Sequence, residues 1–107
     1  MERVICWVTV LALSVAASQV HAQGNPQQGL AEARQVCSEC HAIQKGQVRS
    51  PNSRSPTFVE LANTPGMTAT ALLVALTTPH AGMPMFILTA EQRQNVIAYI
   101  LSLKGEN

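Results

Sequence analysis

Between residues 26 and 36 the apolar side chains Leu30, Ala33 and Val36 recur three positions apart, the spacing that lays them along one face of a helix. Asn25-Pro26 reads as the start of that helix, an N-cap followed by proline at the first helical position. Residues 42–55 are rich in Ser, Pro, Asn, Gly and Arg and predict a loop; Ser55-Pro56 then predicts a short helical turn ending near Asn63, and Pro65-Gly66 the next turn. From Thr68 to Thr77 the chain is apolar over a helix's length, and Pro79 stops it. The clearest helix comes last. Thr89-x-x-Gln92 has the form of a capping box, Val96, Ile97, Ile100 and Leu103 follow at near-helical spacing, and Gly105 after Lys104 closes the segment. No segment alternates as a strand does, so the pattern predicts an all-α chain without internal repeats.

The first 22 residues obey a different rule. Arg3 precedes an apolar run from Val4 to Ala17, and Val20-His21-Ala22 supplies the small-residue end at which exported chains are cut. Ser14, Ser18 and Gln19 keep the run short of the ~20 apolar residues that a spanning helix needs. The expectation is a cleaved signal peptide over 1–22 and one domain over 23–107, exported to the periplasm, with no stable membrane insertion after cleavage. An uncleaved anchor is the alternative reading.

Composition narrows the picture further. The chain has 107 residues, Lys+Arg 7 against Asp+Glu 6, and only 12% charged residues, which bounds it to one small domain and offers no polybasic arm for nucleic acid. Aromatic residues make up 4%, so the core must be built from aliphatics or from something that is not protein. Cleavage of the leader would remove Cys6 and Trp7 and leave Cys37 and Cys40 as the place to look for a staple.

Cys37-Ser38-Glu39-Cys40-His41 is C-x-x-C-H, the attachment signature of a c-type haem. Two thiols three positions apart on a helical turn can form thioethers to the two vinyl groups of one porphyrin, and the adjacent His41 is then placed beneath the iron. A redox dithiol would sit near a strand–helix unit, which the pattern lacks. A structural zinc site would need four N/S ligands and has only Cys37, Cys40, His41 and His80 to draw on. A plain disulfide would leave His41 unexplained.

With that motif in place, the chain after its leader resembles the class I cytochromes c over essentially its whole length. Gly29, eight residues before Cys37, stands where that family keeps a glycine; Pro56-Thr57-Phe58 resembles its proline segment, Met83-Pro84 its sixth-ligand segment, and Val96-Ile97-Ala98-Tyr99-Ile100-Leu101 its C-terminal helix with an aromatic. The resemblance implies a small all-α class I cytochrome c fold, three to five helices wrapped around one haem c attached covalently through Cys37 and Cys40. His41 and Met83 would be the axial iron ligands, and the carbonyl of Pro56 would accept the other ring N–H of His41, with Pro51 as the fallback. Gly29 would lie opposite Tyr99 where the first and last helices cross. Met67, Met85 and His80 remain the other candidates for the sixth position, Met85 being a natural gap-filler against the ring.

The function implied is that of a monohaem one-electron carrier between periplasmic or membrane redox partners, cycling Fe(III)/Fe(II) and not itself an enzyme. The alternatives are a haem c electron-transfer subunit of a larger dehydrogenase or oxidase complex, and a haem sensor or peroxidase with an open sixth position. Lys45, Arg49 and Arg54 make the segment after the motif locally positive, either a steering patch for an acidic partner or an ordinary solvated loop.

Overall fold

Four helices, α1 (Pro26–Val36), α2 (Phe58–Asn63), α3 (Ala69–Thr77) and α4 (Ala90–Ser102), make up the regular structure of the computed structural model, which describes residues 24–107. The leader expected over 1–22 lies outside the described residues. Within them there is no strand, and no helix is long and apolar enough to cross a membrane.

Local chemistry sets the helix ends. The Asn25 side chain accepts hydrogen bonds from the backbone N–H groups of Gln27 and Gln28, and Pro26 occupies a position whose N–H would have had no helical partner. α4 opens on the expected box: Thr89 N–H donates to Gln92 Oε1 at 2.8 Å, and Gln92 N–H to Thr89 Oγ1 at 3.1 Å. α2 starts later than Ser55-Pro56 suggests. Its N-cap is Thr57, whose backbone N–H donates to Glu60 Oε2 at 2.6 Å while Glu60 N–H donates to Thr57 Oγ1 at 3.0 Å. This second capping box outcompetes proline as the start signal and leaves the Pro56 carbonyl outside the helix. α4 ends at Ser102, short of the expected Gly105, whose N–H reaches back to Asn63 Oδ1 at 2.8 Å and ties the chain end to α2.

The tertiary frame is the crossing of α1 on α4. A Cβ on Gly29 would stand 2.0 Å from the Asn95 carbonyl oxygen and 2.9 Å from Tyr99 Cβ, so the two backbones meet where a side chain has no room. Gly24 makes the same kind of approach, 2.0 Å from the Gln94 carbonyl oxygen. Asn95 seals the crossing from inside: almost fully buried, it accepts from Asn25 N–H at 2.7 Å and donates from Nδ2 to Glu32 Oε1 at 3.2 Å. Ala33, Val96, Ile97 and Ile100 fill the contact, and Phe58, Ala62 and Leu72 close it from α2 and α3.

Gly29→Ala puts two effects in competition. Alanine improves helix propensity by ~1 kcal/mol, but its Cβ collides with backbone, which cannot move away as a flexible side chain would. The clash is expected to win, with a net loss of ~2 kcal/mol or more in unfolding free energy, measured by denaturant melts of the wild-type and variant holoproteins. An unchanged or raised midpoint would contradict this account of the crossing.

Candidate functional site

α1 delivers the C-x-x-C-H motif directly from its C-terminus. Cys37 N–H donates to the Ala33 carbonyl at 2.9 Å, and the chain then turns tightly, with Cys40 and His41 N–H groups both returning to the Cys37 carbonyl, at 3.2 and 2.9 Å. The loop that follows is stitched to this turn. Asn52 N–H donates to the Cys40 carbonyl at 3.2 Å, Phe58 N–H to the Ala42 carbonyl at 2.9 Å, and Ala42 N–H to Ser50 Oγ at 3.0 Å.

His41 is held from two sides. Its Nδ1 lies 2.6 Å from the Pro56 carbonyl oxygen. Since a carbonyl can only accept, Nδ1 carries the proton and the Nε2 lone pair is left available to a metal. The Phe58 ring lies 5.6 Å from the imidazole at a 51° tilt, and Tyr99 lies 6.3 Å beyond Phe58. Tyr99 is itself fixed by donating its hydroxyl to the Ile43 carbonyl at 2.6 Å, and burial pushes its phenol above the ordinary value, an effect that the nearby Arg34 charge partly offsets. Orientation of the imidazole thus traces back through two rings to α4.

His41 and Phe58 border a cavity of about 440 Å³. Cys37, Cys40 and His41 stand at the α1 end, Pro56, Phe58 and Leu61 around α2, Leu72, Ala75 and Leu76 along α3, and Val96 and Ile100 along α4. Its volume falls in the range of sites for small molecules and cofactors. Met83 and His80 reach the same cavity from the segment between α3 and α4. They are the ends of one tight turn, with Met83 N–H 3.4 Å from the His80 carbonyl and Gly82 at φ +78°, a value that favours glycine.

The other candidates separate in space. Met67 also lines the cavity, from the turn before α3. Met85 does not: it is 51% exposed and borders a small adjoining recess with Val36 and Leu88. Pro51 is exposed and holds no bond to His41. Of the three basic residues after the motif, Arg54 reaches the cavity rim, while Lys45 lies in an exposed 3.8 Å pair with Glu106, an arrangement that adds little stability.

The donor set suits a haem: the two thiols and the imidazole of the motif, with the thioethers of Met83 and Met67 and the His80 imidazole also on walls that are otherwise mainly aliphatic. Burial pushes the Cys37 thiol up to about 11, so in the protein by itself this sulfur is protonated at neutral pH. Among the described residues no group of three or more His, Cys, Asp and Glu is placed to hold a metal ion. One feature of the region leaves no local signal in the sequence: the link from Arg93 Nη1 to the Leu88 carbonyl at 2.6 Å. Another is written there in full: no Asp, Glu, Lys or Arg occurs between Glu60 and Glu91, the stretch that forms α3 and the Met83 segment.

Comparison with known proteins points the same way as this geometry. Residues 24–100 match the family described as "Cytochrome C oxidase, cbb3-type, subunit III". A cytochrome c-552 of Bradyrhizobium diazoefficiens is 30% identical over 102 residues, covering 95% of this chain and 94% of the relative. No solved structure matches.

Proposed function

This chain belongs to the class I cytochrome c family and is a monohaem c-type cytochrome acting in electron transfer; from that premise we propose that Cys37 and Cys40 hold the haem through thioethers, that His41 and Met83 are its axial ligands, and that it works as an exported carrier in the periplasm. The observation that carries this reading is that the C-x-x-C-H residues Cys37, Cys40 and His41 and the separate Met83 segment line one cavity. The leader-like stretch over 1–22 supports export.

When bound, the haem supplies one-electron cycling of its iron between ferric and ferrous states. The chain supplies the rest. His41 Nδ1 donates to the Pro56 carbonyl, which fixes the plane of the ring and leaves Nε2 as the atom that would hold the iron. A thioether from Met83 would favour the ferrous state, and so would the aliphatic walls of Leu72, Val96 and Ile100, because a low-dielectric surround penalises the extra positive charge of ferric iron. The family is one of electron carriers rather than catalysts, and a methionine on the sixth position leaves no open site for substrate. Spectroelectrochemical titration of the exported protein is expected to give a single one-electron wave, with no rapid carbon monoxide binding to the ferrous form at neutral pH. Fast carbon monoxide binding would move the reading to a sensor or peroxidase.

A second reading, a subunit of a larger oxidase complex, is favoured by a specific surface. Val74, Met85, Phe86 and Ile87 are exposed on the stretch without formal charge, and the matched family is named for an oxidase subunit. Co-purification with a large redox subunit in mild detergent is the outcome that this reading requires; a protein that elutes alone keeps the free-carrier reading.

A further inference from the structure

Between Thr77, the last residue of α3, and Thr89, which caps α4, the chain passes through the Met83 segment with little to hold it. Inside this segment, among the described residues, the backbone makes one hydrogen bond, Met83 N–H to the His80 carbonyl at 3.4 Å, and His80 Nδ1 lies 3.2 Å from the carbonyl of its near neighbour Thr78. From Pro84 to Ile87 there is none. Packing does not take over, because Met85, Phe86 and Ile87 are exposed, Ile87 fully so. The segment also has no charged side chain of its own.

Its far end is nevertheless tied down. Arg93, one turn into α4, donates from Nη1 to the Leu88 carbonyl at 2.6 Å, a short charge-assisted bond. The guanidinium is part-buried, and its Nε is buried without a hydrogen-bond partner among the described residues. An unpaired buried donor lowers stability, so arginine is not what packing alone would select here. α4 is the element against which α1, α2 and α3 all pack. A bond from its first turn therefore transmits the rigidity of the core to the loop.

We propose that Arg93 is a positioning residue for Met83: through the Leu88 carbonyl it anchors segment 83–88 to α4 and so holds the thioether on the iron. This rests on the reading of Met83 as the sixth ligand. With Leu88 released, no hydrogen bond would hold the segment between the His80–Met83 turn and the Thr89 cap, and the thioether would yield more readily to a competing ligand.

The test is an imidazole titration of the ferric holoprotein, followed by loss of the long-wavelength iron–sulfur band, for wild type, Arg93→Met, Arg93→Lys and Asn63→Ala. Asn63→Ala removes bonds to Gly105 and Glu106 at the chain end, away from the loop, and serves as a destabilised control. Arg93→Met is expected to bind imidazole about tenfold more tightly, a factor equivalent to ~1.4 kcal/mol. Arg93→Lys, which keeps a charged donor, should fall between it and wild type, and it carries the test alone if Arg93→Met gives no holoprotein. Asn63→Ala should match wild type. Wild-type affinity in the Arg93 variants, or an equal rise in Asn63→Ala, would overturn the proposal. A wild-type protein without the band would instead overturn the Met83 reading and the proposal with it.

Discussion

Replacing Met83 with alanine is expected to remove the long-wavelength iron–sulfur band of the ferric protein and to lower its reduction potential by on the order of 0.1–0.3 V, within the ~0.8 V that axial ligands span. The direction follows from the chemistry of the ligand. A thioether stabilises ferrous iron, and water or a borrowed histidine in its place stabilises the ferric state. The geometry separates the methionines for this experiment. Met85→Ala should leave the band in place, since Met85 is half exposed and does not line the main cavity, whereas Met83 lines both that cavity and the adjoining recess. Met67 lines the same cavity as Met83 but comes from the turn before α3, and Met67→Ala should soften packing without changing the band. A Met83→Ala protein that keeps its band while Met67→Ala loses it would reverse the assignment. Retention in all three variants would remove methionine from the iron altogether.

The second large effect concerns folding. The variant with both Cys37→Ala and Cys40→Ala is expected to carry no covalent haem and to fail to accumulate as a folded protein after export. Its chain would still have to line a cavity of about 440 Å³ with apolar side chains. At ~24 cal/mol per Å³ for an enclosed cavity, that is on the order of 10 kcal/mol at most, comparable to the entire stability of a typical domain. The chain has no aromatic reserve to fill the space: among residues 24–107 only Phe58, Phe86 and Tyr99 are available, and Phe58 and Tyr99 are already committed to holding His41. Circular dichroism and protease resistance of the exported variant would check this. A cooperative melt near that of wild type would show that the polypeptide core suffices by itself.

The signals legible in the sequence were the local ones. Asn25-Pro26 and Thr89-x-x-Gln92 set helix starts through bonds spanning three residues or fewer, so they could be read in order along the chain. Thr57-x-x-Glu60 is a signal of the same kind and was legible too, but the neighbouring Ser55-Pro56 masked it. What the sequence concealed was contact across the fold. Nothing local marks Asn95 as buried, because its partners are Asn25, the cap of α1, and Glu32 within it. Gly24 has the same character as Gly29, but only the crossing angle of α1 on α4 brings it to the Gln94 carbonyl. In the site, C-x-x-C-H announces itself by spacing. The separation of Met83 from Met85 depends on a turn around Gly82, and the tether from Arg93 depends on where α4 begins; both are properties of the assembled chain.

The central claim is that one haem is bound covalently through Cys37 and Cys40. The most direct test is the intact mass of the exported protein under denaturing conditions, where a cofactor held only by ligation is lost. The expected result is the polypeptide mass plus that of a single haem, with peptide mapping placing the addition on the segment that contains Cys37 and Cys40. The bare polypeptide mass, or a chain that has gained only a disulfide between those cysteines, would contradict the account.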